Sequence, residues 1–277
     1  MKIDAHQHFW QYSATTHDWI TPEMAQLQRH YLPADLQPEL EKAGFAGCIT
    51  VQAAQTEAET EFLLNLAADY SFIKGVVGWV DLRAENAAER LAHFARNPLF
   101  KGVRHVVQDE PDGLFLLKPN FLKGISALQP LGLTYDILIY PRHLPVAAKF
   151  VAHFPEQKFV LDHLAKPVIK KAEWLPWAND LKQLARHEQV HAKISGLVTE
   201  ADWHNWQPTD LRPYLELALE VFGPDRLLIG SDWPVCRLAA EYEAVMQVVI
   251  DFVAALSESE QAAILGQNAI RFYNLAM

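Results

Sequence analysis

The chain has 277 residues, of which half are hydrophobic and 21% are charged, a composition typical of a globular protein with a large core. Its formal net charge of −10 disfavours a nucleic-acid partner, and it carries neither an apolar run of about 18 residues that could cross a membrane nor a signal-peptide pattern. Its two cysteines, Cys48 and Cys236, are too few for a disulfide framework, so a reducing, cytoplasmic compartment is expected.

The first predicted element is a short buried strand over Ile3–His8, in the stretch IDAHQH. The two-residue period of a strand places His6 and His8 on the same side. Because burying two imidazoles without partners is costly, the pair indicates either a metal or catalytic site or a set of hydrogen-bonded structural histidines. The pair alone leaves both interpretations open.

A long connection follows this strand, from Phe9 to Pro33. It is rich in large aromatic residues, namely Trp10, Tyr12, Trp19 and Tyr31. Connections of this length within a compact domain are usually functional or partly folded. We therefore expect an aromatic-rich lid over the end of the first strand.

Seven further apolar, β-branched runs predict strands, at Gly47–Ala53, Ile73–Leu82, Phe100–Val107, Leu133–Tyr140, Lys158–His163, Val190–Gly196 and Leu227–Asp232. Helical patterns separate them, as in Glu57–Tyr70 and Tyr242–Leu256. Ser257 and Glu260 predict a capping box for a last helix that ends near Tyr273.

Strands that alternate with helices pair in parallel through right-handed crossovers. Eight such units predict an α/β protein with a single domain over residues 1–277, a (β/α)8 TIM-type barrel. A doubly wound open sheet is the alternative, but no G-x-G-x-x-G motif follows any strand to support a dinucleotide site.

The active site of a (β/α)8 barrel forms at the C-terminal ends of its strands. In this sequence almost every predicted strand changes from apolar to polar at that end. The residues concerned are His6, His8, Gln52, Gln55, Trp79, Asp81, Arg104, His105, Asp136, Tyr140, Asp162, His163, Lys193, Ser195, Ser231 and Asp232. A change repeated around the barrel predicts a reaction pocket, and it places the two histidines of the first strand in that pocket.

Several of these strand ends resemble a known family. His6-x-His8, Asp162–His163 in VLDHLAKP and Asp232 in LLIGSDWP resemble the amidohydrolase superfamily. The stretches DAHQHFW, GVRHVVQDEPDG, KISGLVTEADW and FGPDRLLIGSDWPV are similar to its sugar-lactonase branch, the L-fuconolactone and L-rhamnonolactone hydrolases, which are related to the pyrone-dicarboxylate lactonases. The resemblance covers essentially the whole chain, and it implies hydrolysis of a small sugar-acid lactone to the free acid.

The sequence departs from the binuclear members of the superfamily, which use a carboxylated lysine on strand four and a histidine on strand five. Here strand four ends in Arg104–His105 with Lys101 at its start, and strand five ends in Tyr140. The resemblance then implies at most one divalent ion, with zinc expected, held by His6, His8, His163 and Asp232. The lactonase branch binds its metal weakly or works without one, so the need for the ion stays open.

For catalysis, Asp232 is expected to act as the general base that takes the proton of water and returns it to the departing ring alkoxide. His6, His8 and His163 would either hold a metal that polarises the carbonyl or donate hydrogen bonds to the oxyanion. The sequence has no G-x-S-x-G motif, which argues against the serine-hydrolase route.

For substrate contacts, only one of Arg104 and His105 should enter the pocket, because they are adjacent on a strand. The resemblance favours His105 as the substrate contact and leaves Arg104 as a structural partner. Lys193 is a candidate for binding a hydroxyl or the product carboxylate, or for a salt bridge inside the barrel. Asp162 immediately precedes His163 and should therefore point away from it, with a role in packing or helix pairing. Stacking on the sugar and packing at the barrel mouth are both open for Tyr140, Trp79 and Trp10.

Two other functions remain as alternatives on the same barrel. One is a metal-dependent decarboxylase or a pyrone-dicarboxylate lactonase, which would need several cations facing an acidic substrate. The other is a non-catalytic barrel that only binds a ligand. The sugar, its ring size and the oligomeric state are not specified by these patterns.

Overall fold

The computed structural model describes residues 1–276. Within this part of the chain eight parallel strands pair in sequence order, each with the next. They are β1 Lys2–Gln7, β2 Phe45–Val51, β3 Ile73–Gly78, β4 Phe100–Val106, β5 Thr134–Leu138, β6 Phe159–Leu161, β7 Val190–Ile194 and β8 Leu227–Ile229.

Helices connect these strands on the outside of the barrel. They are α1 Pro33–Lys42, α2 Glu57–Asp69, α3 Ala87–Phe94, α4 Pro119–Ile125, α5 Leu144–Ala152, α6 Trp177–Leu184, α7 Leu197–Glu200, α8 Pro208–Phe222, α9 Tyr242–Val253, α10 Glu258–Ala262 and α11 Asn268–Phe272. The predicted (β/α)8 barrel is confirmed. No helix in the described residues is both long enough and apolar enough to span a membrane.

The barrel closes between β1 and the residues that follow β8. His8 N–H donates to the Trp233 carbonyl at 2.7 Å, and Asp232 N–H donates to the His6 carbonyl at 2.8 Å. Asp4 reinforces this seam because its carboxylate accepts from both the backbone N–H and the hydroxyl of Ser231, at 2.9 and 2.6 Å. The closure therefore lies at the C-terminal rim and brings the polar ends of β1 and β8 together.

Each predicted strand runs past the C-terminal end of the observed one, as β5 and β6 illustrate. The pattern predicted strands over Leu133–Tyr140 and Lys158–His163, whereas the structure has Thr134–Leu138 and Phe159–Leu161. The residues beyond these strand ends, such as Ile139 and Leu164, are as fully buried as the strands themselves. Burial thus continues past the point where the backbone leaves the sheet, and hydrophobicity alone does not mark that point.

The capping box at the start of the last helical region is confirmed. Ser257 Oγ accepts from Glu260 N–H, and the Glu260 carboxylate accepts from Ser257 N–H at 2.9 Å. The helical region continues to α11, and Tyr273 behind it reaches into the barrel, where its hydroxyl donates to Asp136 Oδ2 at 2.9 Å. The C-terminal region therefore contributes to the polar interior of the barrel.

The long segment after β1 folds over the C-terminal rim, as expected for a lid. Trp10 and Tyr31 exchange two backbone hydrogen bonds of 3.0 Å each, and a 3-10 helix over Pro22–Leu27 lies between them. Trp10 is buried in this segment, edge-on to Trp19 and Tyr31. The segment is therefore held by its own aromatic packing.

Candidate active site

Four side chains from three different strand ends meet at the floor of a cavity. Asp232 Oδ1 lies 3.2 Å from His8 Nε2, 3.7 Å from His6 Nε2 and 3.8 Å from His163 Nε2. The Nε2 atoms of His6 and His8 are 3.2 Å apart. The structure thus brings together the four residues that the sequence pointed to, and confirms that His6 and His8 share a side of β1.

The backbone that presents this cluster is strained. His163 has φ 53°, and the left-handed conformation continues through Lys166, while Asp232 has φ 59°. For residues other than glycine this conformation costs about 1–2 kcal/mol each, and it persists only where the surroundings impose it. The strain is concentrated in the segments that carry His163 and Asp232.

Gly196, two residues beyond the end of β7, shows how tightly the cluster is packed. A Cβ atom at this position would lie 2.6 Å from His163 Nδ1 and 3.1 Å from Asp232 Oδ2, and its φ is +64°. Ser195 beside it forms a hydrogen bond of 2.9 Å with His163 Nδ1. The β7 end therefore supports the orientation of the His163 ring.

The prediction that Asp162 points away from His163 is wrong, because the two residues and His6 have side-chain ligand atoms within 4.8 Å of one another. Its carboxylate lies inside the barrel, with Oδ2 3.0 Å from Arg104 Nη1 and Oδ1 3.3 Å from His6 Nδ1. Strict alternation fails here because β6 ends at Leu161 and the following residues turn with a left-handed backbone. Asp162 and His163 can consequently both face inward.

Lys193 belongs to the same buried network. Its Nζ lies 2.5 Å from Asp136 Oδ2, 3.0 Å from Asp162 Oδ1 and 3.0 Å from His6 Nδ1, and the side chain is fully buried. This placement corresponds to the salt bridge inside the barrel, and it does not let Lys193 reach a substrate. Burial raises the pKa of Asp136 to about 6, against the opposing charge of Lys193.

Only one of the two adjacent residues at the β4 end faces the cavity, and it is Arg104. Its guanidinium lines the cavity, donates to Gln52 and Asp162, and lies 3.3 Å from His6 Nε2. His105, which the resemblance favours as the substrate contact, is not among the described residues that line this cavity. The His105 ring stacks on Phe115 at 4.7 Å between centroids, and its Nε2 lies 2.7 Å from Glu110 Oε1. Barrel closure decides which face of a strand points inward. That two residues are neighbours in the sequence shows only that they face opposite ways.

The aromatic candidates are placed in three different environments. Trp79 donates from its indole to His105 Nδ1 at 3.4 Å, and Trp10 donates to the Arg29 carbonyl at 2.9 Å. Neither is among the described residues that line the cavity above Asp232. The packing alternative therefore fits Trp79 and Trp10, while Tyr140 lines a second cavity beside the first.

Sequence reasoning missed several residues around the cavity, which encloses about 540 Å³ of empty space open to solvent. Besides the floor residues, its walls include Trp19, Gln108, Asp109, Lys166 and Val235. These residues lie in loops beyond the strand ends, where neither period nor polarity marks them. Only Trp19 could have been found from the sequence, because it lies in the predicted aromatic-rich lid.

The charges at the floor follow from burial and from mutual contact. Burial lowers the pKa of His163 to about 4 and also lowers the pKa of His8. Burial alone would raise the pKa of Asp232, but the neighbouring histidines outweigh it and hold that pKa well below its usual range. At neutral pH the floor is therefore an ionised carboxylate among neutral imidazoles.

The donor atoms suit a single divalent cation. His8 Nδ1 lies 2.7 Å from the Val51 carbonyl, which can only accept, so Nδ1 carries the proton and Nε2 presents a lone pair. That lone pair faces the ionised Asp232 Oδ1 at 3.2 Å, an arrangement that a positive charge between them would stabilise. Ligand atoms of a tetrahedral zinc lie about 3.3–3.6 Å apart, close to the spacings among His6, His8 and Asp232.

The lysine of strand four lies away from this site. Lys101 Nζ donates to the Asn274 carbonyl at 2.9 Å, at the opposite end of the barrel. The position beside His6 is instead taken by the positive guanidinium of Arg104. The residues present therefore provide ligands for one cation rather than for a bridged pair.

Comparisons with known proteins agree with this geometry. The family model described as amidohydrolase matches residues 3–275. An L-fucono-1,5-lactonase of Burkholderia multivorans is 42% identical over 99% of this chain and 96% of its own length, and one of Burkholderia ambifaria is 37% identical over the same shares. A crystal structure of an amidohydrolase from Burkholderia multivorans with bound zinc superposes with a TM-score of 0.96, at 42% identity and full coverage of both chains.

Proposed function

The chain belongs to the amidohydrolase family, and on that premise we propose that it is a lactonase that hydrolyses a sugar-acid lactone to the free aldonic acid, with L-fucono-1,5-lactone as the foremost candidate. One observation carries the proposal, namely the ionised Asp232 carboxylate within 3.2–3.8 Å of three imidazoles at the floor of an open cavity. The two L-fucono-1,5-lactonases that align over 99% of the chain support the choice of substrate.

A divalent cation, zinc by analogy with the related crystal structure, would be held by His6, His8 and Asp232, with His163 beside them. When bound, it would supply positive charge that polarises the lactone carbonyl. The Val51 carbonyl prepares His8 to bind a cation, because it accepts the hydrogen bond from Nδ1 and so leaves the lone pair on Nε2.

The chain's own groups then account for the proton transfers. Asp232 accepts a proton from the attacking water as the water oxygen bonds to the lactone carbon. Arg104, whose guanidinium lines the cavity, donates to the oxyanion of the tetrahedral intermediate. The ring C–O bond then breaks, Asp232 returns the proton to the departing alkoxide, and the product is a hydroxy acid. A lactone needs less activation than an amide, which suits this modest set of groups.

The charge of the cavity favours a neutral substrate over a dicarboxylate. Its two basic side chains, Arg104 and Lys166, are balanced by two acidic ones, Asp109 and Asp232. Arg104 is also already paired with Asp162. A pyrone dicarboxylate or an aromatic acid would need uncompensated cations, so a polyhydroxylated, uncharged lactone fits better.

The proposal is tested by following acid release from a panel of lactones with a pH indicator. The panel contains L-fucono-, L-rhamnono-, L-galactono- and D-galactono-lactones, and each is assayed with enzyme as purified, after chelation, and after zinc is restored. Asp232→Asn is expected to lower kcat by about 10²–10⁴-fold while the protein stays folded. Rapid hydrolysis lost on chelation and regained with zinc would assign His6 and His8 as ligands. No acid release from any sugar lactone by the folded wild type would reject the proposal.

A further inference from the structure

A second cavity opens beside the reaction cavity, and Lys166 lines both of them. We propose that this second cavity binds the ring hydroxyls of the substrate through Lys166 and Glu200, and that it selects polyhydroxylated lactones over unsubstituted ones. The inference rests on the proposed function and deepens it. It assigns a specificity role to two residues that lie outside the Asp232 cluster.

The two cavities adjoin, because Lys166 is part of the lining of both. Lys166 forms the wall between them, three residues after His163 in the chain. Glu200 lies at the end of α7, in the loop region above β7. Burial raises the pKa of Glu200, and the charge of Asp232 raises it further against the effect of Lys166, so the three groups lie within electrostatic reach of each other.

Lys166 and Glu200 are charged and partly buried, but among residues 1–276 neither side chain has a hydrogen-bond or ion-pair partner. Lys166 Nζ lies 5.7 Å from the centroid of the Tyr140 ring. A partly buried charge without a polar partner is costly unless a ligand or water supplies one. The two side chains are therefore available to a ligand in the second cavity.

The strained turn after β6 explains why Lys166 lies where it does. Four successive residues, from His163 to Lys166, adopt left-handed backbone angles, and Lys166 N–H donates to the His163 carbonyl at 2.8 Å. In a turn of about three residues, positions i and i+3 lie on the same side. The turn that presents His163 at the floor thus also presents Lys166 at the wall, and strain kept at such a place is typical of functional sites.

The chemistry of the second cavity suits hydroxyl groups. A hydroxyl both donates and accepts, and the cavity offers an ammonium donor in Lys166 and a carboxylate acceptor in Glu200. Arg142 and Glu173 add one further charge of each sign, so the lining has no excess charge that would prefer an anion. The ring of Tyr140 supplies a flat apolar surface for the C–H face of a sugar.

The experiment compares two substrates of the same ring size, L-fucono-1,5-lactone and δ-valerolactone, which keeps the ester but lacks every hydroxyl. The variants are Lys166→Met and Glu200→Gln, with Lys166→Arg as a conservative change that retains the charge. Lys170→Met and Glu156→Gln are matched controls, because both residues are exposed. Each variant is also checked by circular dichroism and thermal melting.

We expect Lys166→Met and Glu200→Gln to lower kcat/KM for the sugar lactone by about 10- to 100-fold, the loss expected for hydrogen bonds to charged groups. For Glu200→Gln the value for δ-valerolactone should stay within about twofold, because Glu200 lines the second cavity and not the reaction cavity. Lys166→Arg should recover part of the loss, and the controls should match the wild type.

Equal losses on both substrates, or no loss on either, would overturn the inference while leaving the lactonase proposal in place. A wild type that hydrolyses no sugar lactone would overturn the lactonase proposal itself, and the inference with it. The two failures are therefore separated by the behaviour of the unmodified enzyme.

Discussion

Arg104 Nη1 lies 3.0 Å from Asp162 Oδ2, so that a buried ion pair fixes the guanidinium at the edge of the reaction cavity. The same Nη1 lies 3.3 Å from His6 Nε2. Two bonds to Gln52, from Nε to the side-chain oxygen and from Nη2 to the backbone carbonyl, complete the arrangement. Arg104 is therefore held in one orientation before substrate binds, as electrostatic stabilisation of an oxyanion requires.

Arg104→Lys tests this role. Lysine keeps the charge but loses the planar fork that reaches Gln52 and Asp162 together. We expect kcat for the sugar lactone to fall by about 10²–10³-fold with a much smaller change in KM, since the lost contact is made chiefly in the transition state. Steady-state kinetics measure both constants. Arg186→Lys, at an exposed position, is the control, and a variant that changed only KM would speak against the assigned role.

Lys193→Met should destabilise the protein because it leaves two buried carboxylates without a cation. The change removes the cation that pairs with Asp136 and Asp162, both fully buried. Breaking a buried pair on one side typically costs about 3–5 kcal/mol. Urea unfolding measures the difference in the free energy of unfolding. Lys182→Met, which breaks an exposed pair with Glu220, should cost less than about 1 kcal/mol, and equal effects of the two changes would contradict the prediction.

Gly196→Ala should damage the catalytic cluster directly. The new methyl group would lie 2.6 Å from His163 Nδ1, and alanine at φ +64° adds backbone strain. We expect a loss of about 1–3 kcal/mol in stability, together with a large loss of kcat as the His163 ring is displaced. Gly132→Ala is a useful comparison, since it has a similar φ of +69° but open space around it. If both variants lost activity equally, displacement of His163 would not be the cause.

Protonation of His191, which lies outside the active site, is expected to lower the stability of the protein in acid. Burial, together with the charge of Arg226, lowers the pKa of His191 to about 4. Its unfolded pKa is about 6.5. The unfolded chain therefore binds the proton more readily, and stability contributed by the neutral ring is complete above pH 6.5 and is lost as the pH falls toward 4, by about 2–3 kcal/mol.

Unfolding by urea between pH 4.5 and pH 7.5 measures this dependence. His191→Phe removes the titrating group and can keep the ring contact with Phe272, 4.7 Å away between centroids. The variant should show a shallower fall of stability in acid than the wild type. An unchanged slope would mean that other groups dominate the acid limb.

The sequence alone was sufficient for the barrel and for the four residues at its floor. The reason is local, because a strand's period of two decides that His6 and His8 share a side. The switch from apolar to polar residues also marks where each strand ends. The resemblance of motifs such as VLDHLAKP and LLIGSDWP added His163 and Asp232. These features depend on neighbouring residues in the chain, which is the information that a sequence contains directly.

Only the tertiary structure decided the orientations around that floor. Whether Arg104 or His105 faces inward depends on how the sheet closes, and the closure joins β1 to the end of β8, more than 200 residues apart. Asp162 turns inward because a left-handed backbone follows β6, a conformation that non-glycine residues adopt only when the surrounding fold imposes it. The same turn places Lys166 between the two cavities. Long-range packing sets these positions, and the local spacing of apolar and polar residues in the sequence does not indicate them.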